Sequence, residues 1–263
     1  MIVDFHTHMF PDKIAEGTIK FLAGVCKTVP CTDGTYEGLA EETRSSGTDI
    51  SVALPIVTNP KQFDSINRFA AQYQEAPVIS FGSIHPDSED YKGQLEHIKK
   101  LGLKGIKLHP DYQEVYFNDI RYKRIVSYAS ELGLIISVHA GSDPKCPEDI
   151  HCTPQMAAEV LRETEPEALV LAHMGGNLQW TEVEEHLVGK RVYFDTGVVL
   201  DQMPQEQFLR MVREHGADRI LFATDSPWAG QKEFREIIEK LPLEEEEKSM
   251  ILGGNACRLL GIS

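Results

Sequence analysis

The stretch "MIVDFHTH", residues 1–8, runs an apolar segment straight into two imidazoles one residue apart. Read as a strand over residues 2–8, it alternates its side chains between two faces, so His6 and His8 project together. Such a pair is able to grip a metal ion, and it is equally an ordinary polar end to a strand. The rest of the chain decides, because the pattern recurs. Further short apolar runs end in a polar residue and a turn: "ISVALPIV" (50–57), "PVISFGSIHP" (77–86), "GIKLHP" (105–110), "LIISVHAG" (134–141), "ALVLAHMGG" (168–176), "VYFDTG" (192–197) and "RILFATDSPW" (219–228).

Amphipathic segments of helical period lie between these runs. "NDIRYKRIVSYASELG" places Ile125, Tyr128, Ala129 and Leu132 on one stripe, with Asn118 or Asp119 as N-cap and Gly133 as the stop. "TPQMAAEVLRETEP" begins with Thr153 as N-cap and Pro154 at the first helical position, with a stripe of Ala157, Val160 and Leu161. "PQEQFLRMVREHG" and "EEEEKSMILGGNACRLLG" read the same way, and Glu244 to Glu247 form a solvated first turn that complements the helix dipole. Strand and helix alternating eight times predict a parallel sheet covered by helices. Eight repeats in 263 residues favour one α/β domain over 1–263, a distorted (β/α)8 TIM barrel, over an open doubly wound sheet. The segment from about Phe10 to Asp49 is an insertion between the first two strands, expected over one end of the barrel.

Composition narrows the partners. Hydrophobic residues make up 41% and charged residues 25%, enough apolar material for a sizeable core. A formal net charge of -15 repels nucleic acid and anionic membrane surfaces, so a small-molecule substrate is expected, and self-association is left open. No apolar stretch approaches the roughly 20 residues that a membrane span needs. Cys26, Cys31, Cys146, Cys152 and Cys257 form no C-x-x-C pair, and the chain opens directly on a strand candidate. Free thiols and a cytoplasmic location are therefore expected. Cys146 and Cys152 flank His151, but a structural zinc site there lacks a fourth ligand.

In a (β/α)8 barrel the functional face is the C-terminal end of the strands. His8, His85, His109, His139, His173 and Asp225 each close a strand candidate, so six of the eight deliver a metal-capable group to one rim. His97, His186 and His215 lie in helical segments as solvated or packing residues, and His151 sits in the loop after the fifth strand. Convergence on one rim argues against chance.

"DFHTH", "SVHAG", "LAHMGG" and "FATDSPW" resemble the amidohydrolase superfamily, and more narrowly its amidohydrolase-related branch of hydrolases and decarboxylases. "GIKLHPDYQ", "DIHCTP" and "ILGGNACRLLG" extend the likeness over essentially the whole chain. The resemblance implies that His6, His8, His139 and Asp225 hold a divalent metal and that His173 faces the substrate or metal-bound water. In binuclear members a carbamylated fourth-strand lysine bridges two metals, with the histidines at the His139 and His173 positions on the second. Lys107 lies two residues before His109 on the same face, so Lys107, His109 and His173 are candidates for a second metal or for the pocket. A buried Lys107 paired with a neighbouring carboxylate such as Asp4 or Asp195 is the structural alternative.

Imidazoles with one carboxylate suit zinc, and one ion with an open position for water is the favoured count, two the alternative. Water on such an ion has a pKa near ~7, which makes hydroxide available at neutral pH. Asp225 would ligate through one oxygen and accept a proton on the other, and His173 would assist the oxyanion or leaving group. His85, His151 and Trp228 are pocket candidates, although His85, His109 and Trp228 serve as well as packed strand-end or loop residues. The reaction expected is hydrolysis of an amide, lactone or ester of a small molecule, and the alternative is non-oxidative decarboxylation of an unsaturated or aromatic acid. A decarboxylase would want an arginine near a strand end, and none follows one outside the helices.

Overall fold

In the computed structural model, which describes residues 1–262, the principal strands are β1 (Val3–Thr7), β2 (Ile50–Ala53), β3 (Val78–Ser80), β4 (Gly105–Leu108), β5 (Ile135–Val138), β6 (Leu169–Leu171), β7 (Tyr193–Asp195) and β8 (Ile220–Leu221). Two-residue pieces, Gln74–Glu75 and Gly82–Ser83, flank β3. The chain groups into two compact units. One takes Met1–Ala53, Glu75–Ile79 and the chain from Phe194 onward; the other takes Leu54–Gln74 and Ser80–Tyr193.

In the first unit β1 is buried along its whole length. It pairs in parallel with β2, Val3 opposite Ile50 and Asp4 opposite Ser51, before the register slips to put Thr7 opposite Ala53. The other edge of β1 takes the end of the chain: Phe5 N–H donates to Phe222 O (2.9 Å), Asp225 N–H to His6 O (2.8 Å) and His8 N–H to Ser226 O (2.6 Å). First and last strands are thus neighbours. That contact carries Asp225 to the end of β1, beside the two histidines. β8 pairs in parallel with β7, Asp195 opposite Leu221.

The excursion between β1 and β2 folds as two helices, Asp12–Cys26 and Tyr36–Ser46. The second starts because Thr35 accepts from Gly38 N–H (3.0 Å) and stops at Gly47, whose φ of 74° suits a residue without Cβ. A buried hydroxyl and amide chain ties that helix to Gln231–Lys240. Thr43 Oγ1 meets Ser51 Oγ at 2.7 Å, Gln231 Nε2 donates to Ser51 Oγ (2.7 Å), and Ser46 Oγ donates to Gln231 Oε1 (3.0 Å). The closing segment, expected as one helix, is Glu245–Ser249, a π-helical Met250–Gly254 and then Asn255–Leu260. The bulge brings Ile251 O to Phe222 N–H at 2.9 Å, and Gly253 lies so close to Met1 that a Cβ there would come within 2.1 Å of its carbonyl oxygen.

In the second unit Gly82–Ser83, β4, β5 and β6 pair in parallel in that order. All of β4, β5 and β6 is buried, as their near-continuous apolar composition requires. Helix Ile120–Glu131 covers them with Tyr122, Ile125, Val126 and Ala129, each at 0% exposure. The expected stripe is therefore shifted: Tyr128 is half-buried because its hydroxyl bonds Glu96 (2.5 Å), and Leu132 is half-buried past the helix end. Asp119 caps this helix through Arg121 N–H (2.8 Å), and Thr153 caps Pro154–Thr164 through Met156 N–H. Of that helix's expected stripe, Ala157 and Val160 are fully buried and Leu161 is half-buried. Each fully buried aliphatic side chain contributes about 1.5–3 kcal/mol. Among the described residues no helix is long and apolar enough to cross a membrane.

Candidate metal centre

The first unit assembles three of the residues singled out in the sequence. His6 and His8 lie on one side of β1 with ring centroids 5.1 Å apart, edge to face. His8 Nε2 lies 2.9 Å from Asp225 Oδ1 and His6 Nε2 lies 3.4 Å from the same oxygen. The His6 and Asp225 side chains are 2% and 12% exposed, so water screens them little. Asp225 takes a left-handed backbone (φ 64°), which a residue with a Cβ adopts at a cost and which the β1 hydrogen bond holds in place.

A second carboxylate orients the first imidazole. Asp195, fully buried on β7, sits with Oδ2 at 3.0 Å from His6 Nδ1 and takes Gly197 N–H on Oδ1 at 3.0 Å. A proton on Nδ1 donated to this carboxylate leaves the Nε2 lone pair facing Asp225 and His8. Gly197 permits the approach, since a Cβ there would lie 3.1 Å from Asp195 Oδ1 and 3.3 Å from both His6 Nδ1 and Asp225 Cβ. Beneath the trio Asp4 is fully buried, and burial lifts its carboxyl to about 8 despite hydrogen bonds from Thr224 and the His6 backbone. Two imidazole nitrogens and a carboxylate oxygen within 4.8 Å of one another make a donor set that fits a divalent metal. Trp228 follows on the same turn, half-buried, with its N–H on Asp225 O (3.0 Å).

The second unit gathers another set. His139 stacks on His109 (4.1 Å, 7°), and His109 stacks on Tyr112 (4.0 Å, 22°). His139 Nδ1 lies 3.0 Å from His173 Nε2, and His173 O accepts from the Trp180 indole (3.1 Å). His173 and Met174 are both left-handed (φ 59° and 55°), so the turn after β6 is strained where the ring is presented. His109 also caps the short helix Pro110–Gln113, its Nδ1 taking Tyr112 N–H at 3.4 Å. His151 Nδ1 lies 3.1 Å from Asp111 Oδ1 and its ring stacks on Tyr116. His85 is buried and accepts Asp87 N–H on Nδ1 (3.2 Å); burial lowers its pKa, against the pull of Asp87. Lys107 is fully buried on β4, with its carbonyl held by Ser83 Oγ (2.8 Å). Sequence reasoning missed Asp111 and Asp143 and noticed Asp195 only as a possible partner of Lys107. The signal was present in "LHPD" and "HAGSD", where a carboxylate follows a strand-end histidine by two or four residues.

The Amidohydrolase family model (Amidohydro_2) matches residues 3–262. The chain belongs to this amidohydrolase family. No curated protein matches it in sequence. Among solved structures, it is similar to a TIM-barrel protein of Bordetella bronchiseptica (19% identity, TM-score 0.77, 99% of this chain and 98% of that one). It is also similar to a dihydroxybenzoic acid decarboxylase of Polaromonas sp. JS666 with bound manganese and the inhibitor 2-nitroresorcinol (14%, TM-score 0.70, 99% and 96%). A third is a probable 2-pyrone-4,6-dicarboxylic acid hydrolase of Acinetobacter baumannii with citric acid bound (14%, TM-score 0.66, 99% of both chains). At such identities the likeness carries the fold, which is the α/β TIM barrel expected from the eightfold strand pattern. The amidohydrolase family is metal-dependent, and the His6, His8 and Asp225 donors suit that requirement.

Proposed function

We propose that this chain is a metal-dependent hydrolase of a small molecule, cleaving an amide, lactone or ester bond, with the metal held by His6, His8 and Asp225. The observation that carries the reading is the approach of both Nε2 atoms to Asp225 Oδ1, at 2.9 and 3.4 Å, with Asp195 fixing the His6 ring behind them. Zinc is the proposed ion, since two imidazoles and a carboxylate suit it. Held there, it supplies Lewis acidity, polarising a carbonyl oxygen and easing proton loss from water at neutral pH. Asp195 keeps the His6 proton on Nδ1. Asp225 accepts the proton of the attacking water and returns it to the leaving group. His173, through its contact with His139 Nδ1, sets the tautomer of that imidazole.

Decarboxylation of a small aromatic or unsaturated acid is the second reading, supported by the likeness to a dihydroxybenzoic acid decarboxylase. Against it, the arginines beside the loop after β3 are committed elsewhere. Arg121 pairs with Asp119 and Asp87, and Arg124 donates to the carbonyls of Pro86 and Ser88. A panel of lactones, esters and amides run beside hydroxybenzoic acids, with carbon dioxide release monitored, separates the two. Turnover with carbon dioxide and no hydrolytic product defeats the hydrolase. The metal assignment has its own check: His6→Ala with His8→Ala should strip the ion from this trio, and undiminished metal content would place it elsewhere. Lower metal content in His139→Ala would add His139 to the ligands, as the family resemblance implies.

A further inference from the structure

The loop after β5 is drawn onto a single oxygen of Asp111. That residue lies in the short helix Pro110–Gln113 of the second unit, with its side chain at 0% exposure. Its Oδ1 meets three groups of the loop: His151 N–H at 3.1 Å, His151 Nδ1 at 3.1 Å and the Cys146 thiol at 3.5 Å. Its Oδ2 accepts no hydrogen bond among the described residues. A carboxylate oxygen has two lone pairs, so three donors on one oxygen and none on the other is a poor division of hydrogen bonds. Native structures seldom leave a buried acceptor unused without a reason.

The side-chain atoms make a better set of ligands than of donors. Asp111, Cys146 and His151 each offer one ligand atom, and these atoms lie within 4.8 Å of one another. Ligands about 2.0–2.3 Å from a tetrahedral metal stand roughly 3.3–3.6 Å apart, so the thiol distance already fits and the imidazole distance has to open slightly. Charge agrees, because a carboxylate and a thiolate together carry the two negative charges that a divalent cation cancels. Without a cation the carboxylate opposes ionisation of the thiol beside it, which makes Cys146 a poor nucleophile. The imidazole also has the outer partner that metal-bound histidines usually have. His151 Nε2 faces Asp149 Oδ2 at 3.8 Å, Asp149 Oδ1 takes the Tyr116 hydroxyl at 2.7 Å, and the Tyr116 ring stacks on His151 at 4.8 Å. A proton on Nε2 turned toward Asp149 leaves the Nδ1 lone pair for an ion.

We propose that Asp111, Cys146 and His151 bind a zinc ion, distinct from the one assigned to His6, His8 and Asp225, which fastens the loop after β5 to the helix Pro110–Gln113. On binding, the thiol gives its proton to solvent and the imidazole keeps its proton on Nε2, while the His151 backbone N–H stays on Asp111 Oδ1. A thiolate among the ligands favours zinc over the hard ions manganese, magnesium and calcium. Three protein ligands leave a fourth position for water. The sequence shows two cysteines around His151; the structure recruits only Cys146 and adds a carboxylate from another loop. Cys152 is fully buried outside the group. The site goes beyond the proposed function and stands without it.

Metal-free full-length protein, prepared with a chelator and dialysed, is titrated with Co²⁺, a zinc substitute whose bond to a thiolate gives an intense near-ultraviolet charge-transfer band. Wild-type protein should show the band, and added Zn²⁺ should bleach it. Cys146→Ser, which keeps a hydroxyl for Asp111, should lose the band. His6→Ala with His8→Ala should keep it, because that centre contains no sulfur, so failure of the first metal assignment shows separately. A second measurement needs no variant. Zinc at about ten times its dissociation constant should slow alkylation of Cys146 by iodoacetamide about tenfold, read by peptide mass spectrometry. That measurement carries the test if circular dichroism shows that Cys146→Ser does not fold. No band in the wild-type protein overturns the proposal, as does a band undiminished in Cys146→Ser or lost with His6 and His8. So does alkylation of Cys146 at the same rate with and without zinc.

Discussion

At His6 the two ring nitrogens are divided between two carboxylates, Nδ1 toward Asp195 at 3.0 Å and Nε2 toward Asp225 at 3.4 Å. The division makes Asp195 a positioning residue whose worth is measurable apart from turnover. Asp195→Asn keeps the shape but removes the charge that raises the basicity of the ring. Metal affinity in competition with a chelator should fall about 10–100-fold, as for outer partners of metal-bound histidines generally. An unchanged affinity would reduce Asp195 to a packing group. Gly197 sits behind all three side chains, and the methyl of Gly197→Ala has to displace His6, Asp195 or Asp225 by a few tenths of an ångström. Overpacking of this kind costs about 1–3 kcal/mol, so that variant should lose both metal affinity and thermal stability. Wild-type behaviour on both counts would show that the site tolerates the shift.

The elements were legible in the sequence to the degree that local chemistry fixes them. Thr153 and Pro154 start their helix where the cap pattern places them, and Asp119 does the same for Ile120–Glu131. Thr153→Ala should cost about 1 kcal/mol in chemical unfolding, with the denaturant slope unchanged. At Asp119 the hydrogen bonds and charge of Arg121 hold the carboxyl down to about 2 from an ordinary 3.8. A carboxylate depressed on folding contributes stability above its unfolded pKa and loses it as the pH falls through the folded one. Acid unfolding curves of wild type and Asp119→Ala should therefore converge between about pH 4 and 2, and a gap that persisted below that window would assign the cap's worth to packing. Less legible was whatever depends on distant chain. The π-helical turn at Met250–Gly254 answers to Phe222 and Met1, and the burial of Tyr122 rather than Tyr128 answers to the sheet beneath. Within the site, the strand-end histidines showed through because a fixed spacing announces them. Asp111 and Asp143 left only a loose signal, a carboxylate two or four residues after a strand-end histidine, and Asp195 acts through side-chain geometry that no spacing rule encodes.

On the scale of the whole molecule, a chain with 41 acidic and 26 basic residues concentrates further negative charge where metal is proposed to bind. Asp195 and Asp225 stand around His6 and His8, both carboxylates buried. Buried carboxylates are tolerated when a cation or a set of donors offsets them, so an ion that binds only the folded chain stabilises the fold by mass action. At one hundred times its dissociation constant that amounts to about 2.7 kcal/mol for a single site. For a chain of this size, about 2–4 °C of melting temperature accompanies each kcal/mol, so saturating one site should raise the midpoint by about 5–10 °C. Chelation should lower the melting temperature by that amount, and restored zinc or manganese should return it. In His6→Ala with His8→Ala the dependence on added manganese should be largely lost. A melting temperature indifferent to chelator and metal in the wild-type protein would mean that these carboxylates are offset by the protein's own donors alone, and the metal assignment would fall with it.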